Sequence, residues 1–530
     1  MRNDLKIMDN KNAVETSVEH IIAFGLSDIT LEKLEVELIK THKEQFIEDV
    51  IKKIASENIY DMEFKPIQYI LTPKNRFVFD YRKAALIHPA CLAKYTSLVL
   101  LCAEEIEKHR IDINDKKIFS YRVKIDGNQV FNKDINYSLW KEDTKEKIQS
   151  KQYQYLVECD ISAFYDRINI HRLESTLLSL RIDKLLVKKI NDLLLFWSKK
   201  DSYGIPVGNS ASRILAEAAL IDIDQYLVSE GVIFTRYVDD FRLFCPDLIT
   251  AQKWMNQLTT RLFRDGLMLN TGKTKLKKIE DIEVSEAKES ALPETEKPEE
   301  VLKVITKLSG GYNRISRKFI MPSNEKHASF KNIEIDKEIE ILKAGNIFEF
   351  QGIQKITIAI IVQNKHHKLV EMAEVCSKYL YGLDYFIDML LKNKNFIPDS
   401  HREEVANFYE QKVYSNFFYS FEWHSASIVK LLSDEAYFRK NALFHIIKSI
   451  GKEVSTYPSI LALESLVGRI TRSEFRTIRE WFDRCDDWEK RRIIVLSNTL
   501  PNEERKAWLK AIKSTIPKDI LMQEELKKGL

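Results

Sequence analysis

Residues 232–247 read VIFTRYVDDFRLFCPD and place two adjacent carboxylates, Asp239 and Asp240, between two apolar segments. Both segments are rich in β-type residues and alternate in part, as half-buried strands do. The stretch therefore predicts a β-hairpin with the carboxylates at its turn. Adjacent carboxylates repel unless a cation neutralises them, and their oxygens are ligands that Mg²⁺ prefers. Because an ordinary Asp-Asp turn shows the same pattern, the interpretation depends on other segments.

A second segment supplies another carboxylate. LVECDISAFYDRI at 156–168 places Asp160 at the end of a predicted apolar strand, and Tyr165 follows five residues later. Two-metal phosphoryl transfer needs carboxylates from separate segments, which hold two ions about 4 Å apart. Asp160 and Asp239 supply this pair, and Asp240 is a neighbouring ligand or a tuning charge. The predicted metal-binding set is Asp160, Ile161, Asp239 and Asp240.

Two further segments lie around the hairpin in the sequence. GIPVGNSASRILAEAALIDID at 204–224 has Gly204 and Gly208 flanking Pro206 before a predicted amphipathic helix. Glycines let a backbone approach a nucleotide closely, although a plain turn before a helix has the same composition. GLMLNTGKTKLKK at 266–278 brings Lys273 after the carboxylates, where a lysine can donate to a developing pyrophosphate charge. A solvated basic face is the alternative.

The order of these four segments resembles the palm of reverse transcriptases over roughly residues 74–280. The resemblance implies that Asp160 and Asp239 are metal ligands, Asp240 is the third carboxylate, and Lys273 is a candidate general acid. It also implies that Tyr165 excludes a ribose 2′-OH and so favours dNTPs. The predicted nucleotide-binding set is Arg122, Lys124, Tyr165, Pro206, Gly208 and Ser212. For each basic residue in that set, a simple surface charge is the alternative.

Two positions depart from the usual pattern of the family. Retroviral and intron-encoded enzymes usually carry Gln where this chain has Val207, and they tend to carry Asn near Glu217. The segment 204–217 and FSYRVKI at 119–125 look instead like bacterial abortive-infection and unknown-group reverse transcriptases of antiphage defence. Members of that group often append α-helical repeats. Because the Gln is missing, ordinary handling of a template is in doubt.

The predicted fold class is an α/β (α+β) polymerase right hand with palm and fingers, followed by a mainly α-helical, repeat-like C-terminal domain. Residues 281–300 carry eight acids and two lysines, a net −6, which predicts a flexible linker or insertion. Residues 301–320 contain five basic residues and no acid, as a thumb-like surface on a nucleic acid would, or a solvated helix face. The predicted domains are an N-terminal helical segment at 1–73, fingers at 74–150, the palm at 151–280, the linker at 281–300, and the thumb-like and repeat domain at 301–530.

Composition limits the class of protein. The 530 residues are 44% apolar and 30% charged, which allows a sizeable core, and a net charge of +3 argues against a purely electrostatic nucleic-acid binder. The six cysteines form no CxxC pair, so a reducing cytoplasm is expected, and the resemblance implies a bacterial one. No segment reaches the roughly 18 apolar residues that span a bilayer, and no membrane partner is expected.

The sequence thus predicts an RNA-directed or protein-primed DNA polymerase in antiphage defence, working by two-metal transfer from dNTPs. Two Mg²⁺ ions are the expected cofactors, with Mn²⁺ as an alternative. The expected partners are dNTPs, an RNA template or noncoding RNA, and the DNA product, and the helical domain is expected to mediate self-association. Two alternatives stay open: a template-independent terminal nucleotidyl transferase on the same palm, and a non-catalytic RNA-binding scaffold.

Overall fold

The structure is a computed structural model of the full chain. It describes residues 8–30, 32–74, 81–282, 330–344, 350–378, 382–415, 418, 421–449, 456–516 and 519–530. Apart from residues 281 and 282, the predicted acidic linker lies outside these residues, and so do the predicted basic stretch 301–320 and the chain up to residue 329.

The chain divides into two compact units, one formed by residues 1–68 and 85–292 and the other by residues 69–84 and 293–530. The chain therefore enters the second unit twice, because the short segment 69–84 is separated in sequence from the rest of it. The predicted boundary of the fingers at residue 74 falls inside this segment.

The first unit contains eleven α-helices within the described residues. They are α1 (Asn10–Phe24), α2 (Lys33–Thr41), α3 (Lys43–Ile54), α4 (Pro89–His109), α5 (Tyr137–Gln149), α6 (Phe164–Arg167), α7 (Ile170–Ser179), α8 (Lys184–Trp197), α9 (Ser210–Ala219), α10 (Ile221–Ser229) and α11 (Leu248–Arg264). The strands of the described chain are β1 (Gln68–Pro73), β2 (Tyr81–Leu86), β3 (Val123–Asp126), β4 (Gln129–Phe131), β5 (Tyr155–Asp160), β6 (Phe234–Tyr237), β7 (Asp240–Cys245) and β8 (Lys275–Lys278).

A four-stranded antiparallel sheet in the order β6-β7-β5-β8 forms the centre of the first unit. Side chains of β5 alternate between its two faces. Leu156 and its partner Phe244 pack on one face against Ile148 of α5. On the other face Val157 and its partner Leu243 are buried. Because both faces are covered along most of their length, the sheet is a rigid support for the residues at its end.

Local sequence signals explain several helix boundaries. Pro89 begins α4, where its missing N–H costs nothing. Asn209 and Asp247 accept hydrogen bonds from the first turns of α9 and α11, as good N-caps do. The region 210–229, which the sequence predicts as helical, is divided into α9 and α10 at Leu220.

The second unit is helical along its described C-terminal part. Its helices are α12 (Ile335–Ala344), α13 (Phe350–Val362), α14 (Lys368–Lys378), α15 (Leu383–Lys392), α16 (Asp399–Val413), α17 (Glu422–Ser433), α18 (Lys440–Lys448), α19 (Thr456–Ser465), α20 (Arg472–Ile478), α21 (Asp487–Leu496), α22 (Asn502–Ile512) and α23 (Ile520–Gly529). Thr471 and Glu474 form a capping box at the start of α20.

Alternate helices of the second unit stack on one another. The row α13, α15, α17, α19, α21 and α23 packs in sequence, and α14, α16 and α18 form a second row beside it. The two rows enclose one continuous apolar core. This is the two-layer arrangement of helical-repeat proteins, and it confirms the predicted repeat-like C-terminal domain. In the described part of the chain, no helix has both the length and the apolar character needed to cross a membrane.

Candidate active site

The predicted hairpin is present, and Val238 and Asp239 form its two-residue turn between β6 and β7. Val238 has φ +57°, an uncommon backbone conformation for a β-branched residue. In the antiparallel register Tyr237 lies opposite Asp240, and Asp240 lies opposite Asp160. Directly opposed residues point to the same face, so the register itself places the side chains of Asp160 and Asp240 side by side.

Backbone hydrogen bonds fix the ends of these strands. The Ile161 N–H donates to the Asp239 carbonyl at 3.1 Å, and the Asn270 N–H donates to the Asp160 carbonyl at 2.7 Å. The Ser162 N–H donates to the carbonyl of Met268 at 2.8 Å. Three segments that are distant in sequence are thus held together at one edge of the sheet.

The three carboxylates converge. One oxygen each of Asp160, Asp239 and Asp240 lie within 4.8 Å of one another. Burial, together with the charge of Asp160, raises the pKa of Asp239 to about 7 and that of Asp240 to about 6. A cluster that resists ionisation without a positive partner is what a divalent cation would stabilise.

Lys273 also reaches this cluster. Its Nζ donates to Asp160 Oδ1 at 3.0 Å, and Asn270 Nδ2 lies 3.3 Å from Asp160 Oδ2. Burial opposes the charged form of Lys273, but the hydrogen bond to Asp160 and the nearby carboxylates outweigh it and raise the pKa of the lysine. The structure therefore brings together all the predicted carboxylates and the predicted general acid.

A buried arginine that lies outside the predicted site residues supports the turn from the opposite face of the sheet. Arg236 is fully buried, and its guanidinium donates to the Val238 carbonyl at 2.8 Å. The same guanidinium forms ion pairs with Asp224 at 2.5 Å and Glu217 at 3.0 Å. The signal that could have found it is its position three residues before Asp239, on the opposite face of the strand from Tyr237.

The buried charges continue to the predicted fingers. Glu217 binds Arg110 at 2.7 Å and accepts a hydrogen bond from Ser120. Burial disfavours the ionised form of Glu217, but Arg236 and Arg110 outweigh it and lower the pKa of this carboxyl. Glu217 is thus the centre of an internal ion-pair network.

The predicted nucleotide-binding residues are in different environments. Arg122 is buried and ion-paired with Glu107 at 2.6 Å, whereas Lys124 is exposed on β3. Ser212 is buried, and its hydroxyl shares a hydrogen bond of 3.0 Å with the Tyr95 hydroxyl. Tyr165 is partly exposed on α6, directly after the strand that ends in Asp160. A contact between any of these side chains and a nucleotide stays a prediction.

Gly208 contacts another part of the protein. Pro206 beside it is buried, and Gly208 has φ +107°. A Cβ at position 208 would lie 3.0 Å from Ser27 Oγ and 3.3 Å from Asp28 Oδ1. The glycine therefore allows the loop after α1 to approach closely.

Arg213 lies next to this contact and was not predicted. It forms an ion pair with Asp28, and its guanidinium lies 4.8 Å from the centroid of the Tyr121 ring. The nearby side chains of Tyr165 and Tyr237 favour the charged form of Arg213. Its position directly after Ser212 could have marked Arg213 as a candidate site residue. Its partner Asp28, however, is too distant in sequence for a local pattern to reveal.

One protein-family profile matches the part of the chain that contains this site. Residues 101–301 match the family profile described as reverse transcriptase (RNA-dependent DNA polymerase). This part of the chain therefore carries a reverse transcriptase domain with the palm and fingers type of fold, which supports RNA-directed DNA polymerase activity. No curated protein sequence matches the chain.

Among solved structures, the chain is similar to fungal telomerases. Telomerase from Candida albicans, in complex with a fragment of telomeric RNA, is 13% identical over 70% of this chain and 66% of that chain, with a TM-score of 0.30. The corresponding complex from Candida tropicalis is 11% identical over 69% and 64%, with a TM-score of 0.31, and its apo form is 11% identical over 78% and 68%, with a TM-score of 0.30. The chain spans slightly less than two thirds of the first two telomerase chains.

Proposed function

We propose that this protein is a DNA polymerase that adds dNTPs to a terminal hydroxyl by two-metal nucleotidyl transfer. The observation that carries the proposal is the convergence of Asp160, Asp239 and Asp240 from two separate segments, with Lys273 bound to Asp160. Mg²⁺ ions held by these carboxylates would supply charge neutralisation and activate the hydroxyl.

In the proposed reaction, different residues of the chain have different roles. The sheet edge orients the attacking hydroxyl oxygen toward the α-phosphorus of the dNTP, so that an O–P bond forms while the bond to pyrophosphate breaks. Lys273 holds the proton that can pass to the leaving pyrophosphate. Tyr165 lies directly after the Asp160 strand, where a ring would exclude a ribose 2′-OH.

The test is incorporation of labelled dNTPs by the purified full chain with Mg²⁺ or Mn²⁺, using DNA, RNA and no added primer. We expect the double variant Asp239→Asn, Asp240→Asn to lose activity by at least about a thousandfold. Asp222→Asn, an exposed aspartate of α10, is the matched control and should keep activity. Absence of incorporation by the unmodified chain under every primer condition would overturn the proposal.

A second candidate is template-independent synthesis on the same palm. Two observations support it: Val207 replaces the usual Gln, and the protein's own Ser27 and Asp28 approach Gly208, where a template nucleotide would be expected. The Asp28 N–H also donates to the Gly208 carbonyl at 3.1 Å. Sequencing the product made with a defined template decides between the candidates: a complementary copy favours templated synthesis, and a random or homopolymeric product favours the second candidate.

The biological setting is part of the proposal. The resemblance to abortive-infection enzymes supports a role in antiphage defence in the bacterial cytoplasm, and the stacked helices of the second unit offer a surface for self-association. A plaque assay comparing the chain with its Asp239→Asn, Asp240→Asn variant tests the first point. Mass photometry tests the second, and a purely monomeric distribution would contradict it.

A further inference from the structure

A partly exposed arginine lies next to the carboxylates along β7, on the same face of the sheet. Arg242 follows Asp240 by two residues in β7 and lies opposite Glu158 of β5. Residues two apart on a strand point to the same face, about 7 Å apart along it. Arg242 therefore lies within about one nucleotide's length of the site of reaction.

The guanidinium of Arg242 is held in place by α5. It lies 3.9 Å from the centroid of the Trp140 ring and donates to Thr144 Oγ1 at 2.5 Å. Trp140 is itself fixed, because its indole N–H donates to Thr235 Oγ1 at 2.9 Å. The arginine is thus oriented before any ligand binds.

Within the described part of the chain, no carboxylate forms a close ion pair with Arg242, although Glu158 and Asp240 act on its charge at longer range. Its cross-strand neighbour Glu158 is bound instead to Lys277 at 2.5 Å. Thr144 takes only one N–H of a group that has five donors and matches phosphate geometry. The remaining donors fit an anion that approaches the carboxylate cluster.

Aromatic rings line the same surface. The Tyr137 side chain is 39% exposed, and its ring lies edge-on to Tyr237 at 5.1 Å. The Lys141 amino group lies 4.7 Å from the centroid of the Tyr137 ring. Cations interleaved with rings are typical of surfaces that bind single-stranded nucleic acid by phosphate contact and stacking.

We propose that Arg242 and Tyr137 form a binding site for the nucleic-acid strand that carries the attacking hydroxyl: Arg242 binds the phosphodiester next to that hydroxyl, and Tyr137 supports the terminal nucleotide. This inference rests on the proposed polymerase function. It explains how a polyanionic strand can approach three carboxylates, because the positive charge of Arg242 offsets the repulsion between the phosphates and the carboxylates.

The test is the affinity of the full-length protein for fluorescent single-stranded DNA and RNA oligonucleotides, measured by anisotropy over a range of salt concentrations. We expect Arg242→Gln to weaken binding about tenfold. It should also reduce the slope of log affinity against log salt by about 0.7, the value for one phosphate contact. Arg242→Lys should keep the slope and recover part of the affinity. Tyr137→Ala should weaken binding more than Tyr137→Phe.

Lys253→Gln, an exposed lysine of α11, removes the same charge and should change neither quantity. Thermal melting shows which variants are folded, and the salt slope would not change through a purely structural defect. An unchanged slope and affinity in Arg242→Gln, or an unmodified chain that binds neither DNA nor RNA, would overturn the inference. If binding depends on Arg242 but no dNTP is incorporated, the polymerase proposal fails, and the assignment of the bound strand as the one that carries the attacking hydroxyl is overturned with it.

Discussion

At the scale of single residues, the turn that carries Asp239 depends on buried side chains behind it. Val238 is kept in its uncommon conformation while its carbonyl accepts a hydrogen bond from Arg236, which in turn is held by Asp224 and Glu217. The position of Asp239, the next residue, therefore follows from an ion-pair network in the interior.

Removing one charge from that network should be costly. We expect Glu217→Gln to lower the free energy of unfolding by about 3 kcal/mol, because Arg236 and Arg110 would be left without their shared carboxylate. Urea denaturation measures the loss. Glu146→Gln on the exposed side of α5 is the control, and it should change stability by less than about 0.5 kcal/mol. Equal stability of the two variants would show that the network does not support the fold.

The raised pKa values of Asp239 and Asp240 predict that the stability of the folded protein depends on pH. Both carboxyls bind protons more readily in the folded protein than in the unfolded chain, so without metal the stability should rise as pH falls from about 7 toward 4. Mg²⁺ competes with these protons and should stabilise the protein more at pH 8 than at pH 6.

Thermal shift measurements with and without Mg²⁺ at both pH values check this expectation. The variant Asp239→Asn, Asp240→Asn should lose both the metal effect and this part of the pH dependence. The expectation fails if Mg²⁺ stabilises the protein equally at the two pH values.

At the scale of elements, the loop 204–208 is shaped by a contact with the loop after α1. Gly208→Ala would place a Cβ against Ser27 and also force an alanine into a glycine-type conformation. Gly231→Ala would also force an alanine into a glycine-type conformation, since Gly231 has φ +69°. It would cause no steric conflict, because nothing lies within 4 Å of a Cβ added there. We expect Gly231→Ala to cost about 1 kcal/mol, and Gly208→Ala to cost about 1–3 kcal/mol more through the steric conflict.

Chemical denaturation of the two variants gives the difference directly. Similar losses would mean that residues 27–29 move aside easily, and the support for template-independent synthesis would weaken.

The elements of the palm could be predicted from the sequence because their signals are local. The alternation around Asp160 and Asp239, the glycines of 204–208 and the N-cap chemistry each lie within a few residues. What could not be predicted comes from contacts between distant segments. Arg213 pairs with Asp28, and Arg110 pairs with Glu217, and no local pattern specifies either partner. The burial of Ser212 against Tyr95 has the same origin.

At the scale of the whole molecule, two units with separate cores predict two unfolding transitions. Glu217→Gln should lower only the transition of the first unit. Arg491→Met should lower the other transition, because it removes the buried ion pair in which Arg491 lies 2.6 Å from Asp519. Differential scanning calorimetry checks both expectations, and Mg²⁺ should raise the first transition alone. A single transition that both variants shift equally would contradict the division.

The double entry of the chain into the second unit has a consequence for biosynthesis. Residues 69–84 leave the ribosome early, but the rest of their unit begins only at residue 293. At about 5–20 residues per second, translation of the intervening chain takes on the order of 10–40 s. During that interval β1 and β2 can pair with each other, but the segment lacks the rest of its unit, so a nascent-chain chaperone would find it exposed. A gene fragment that stops near residue 292 would leave it in that state permanently.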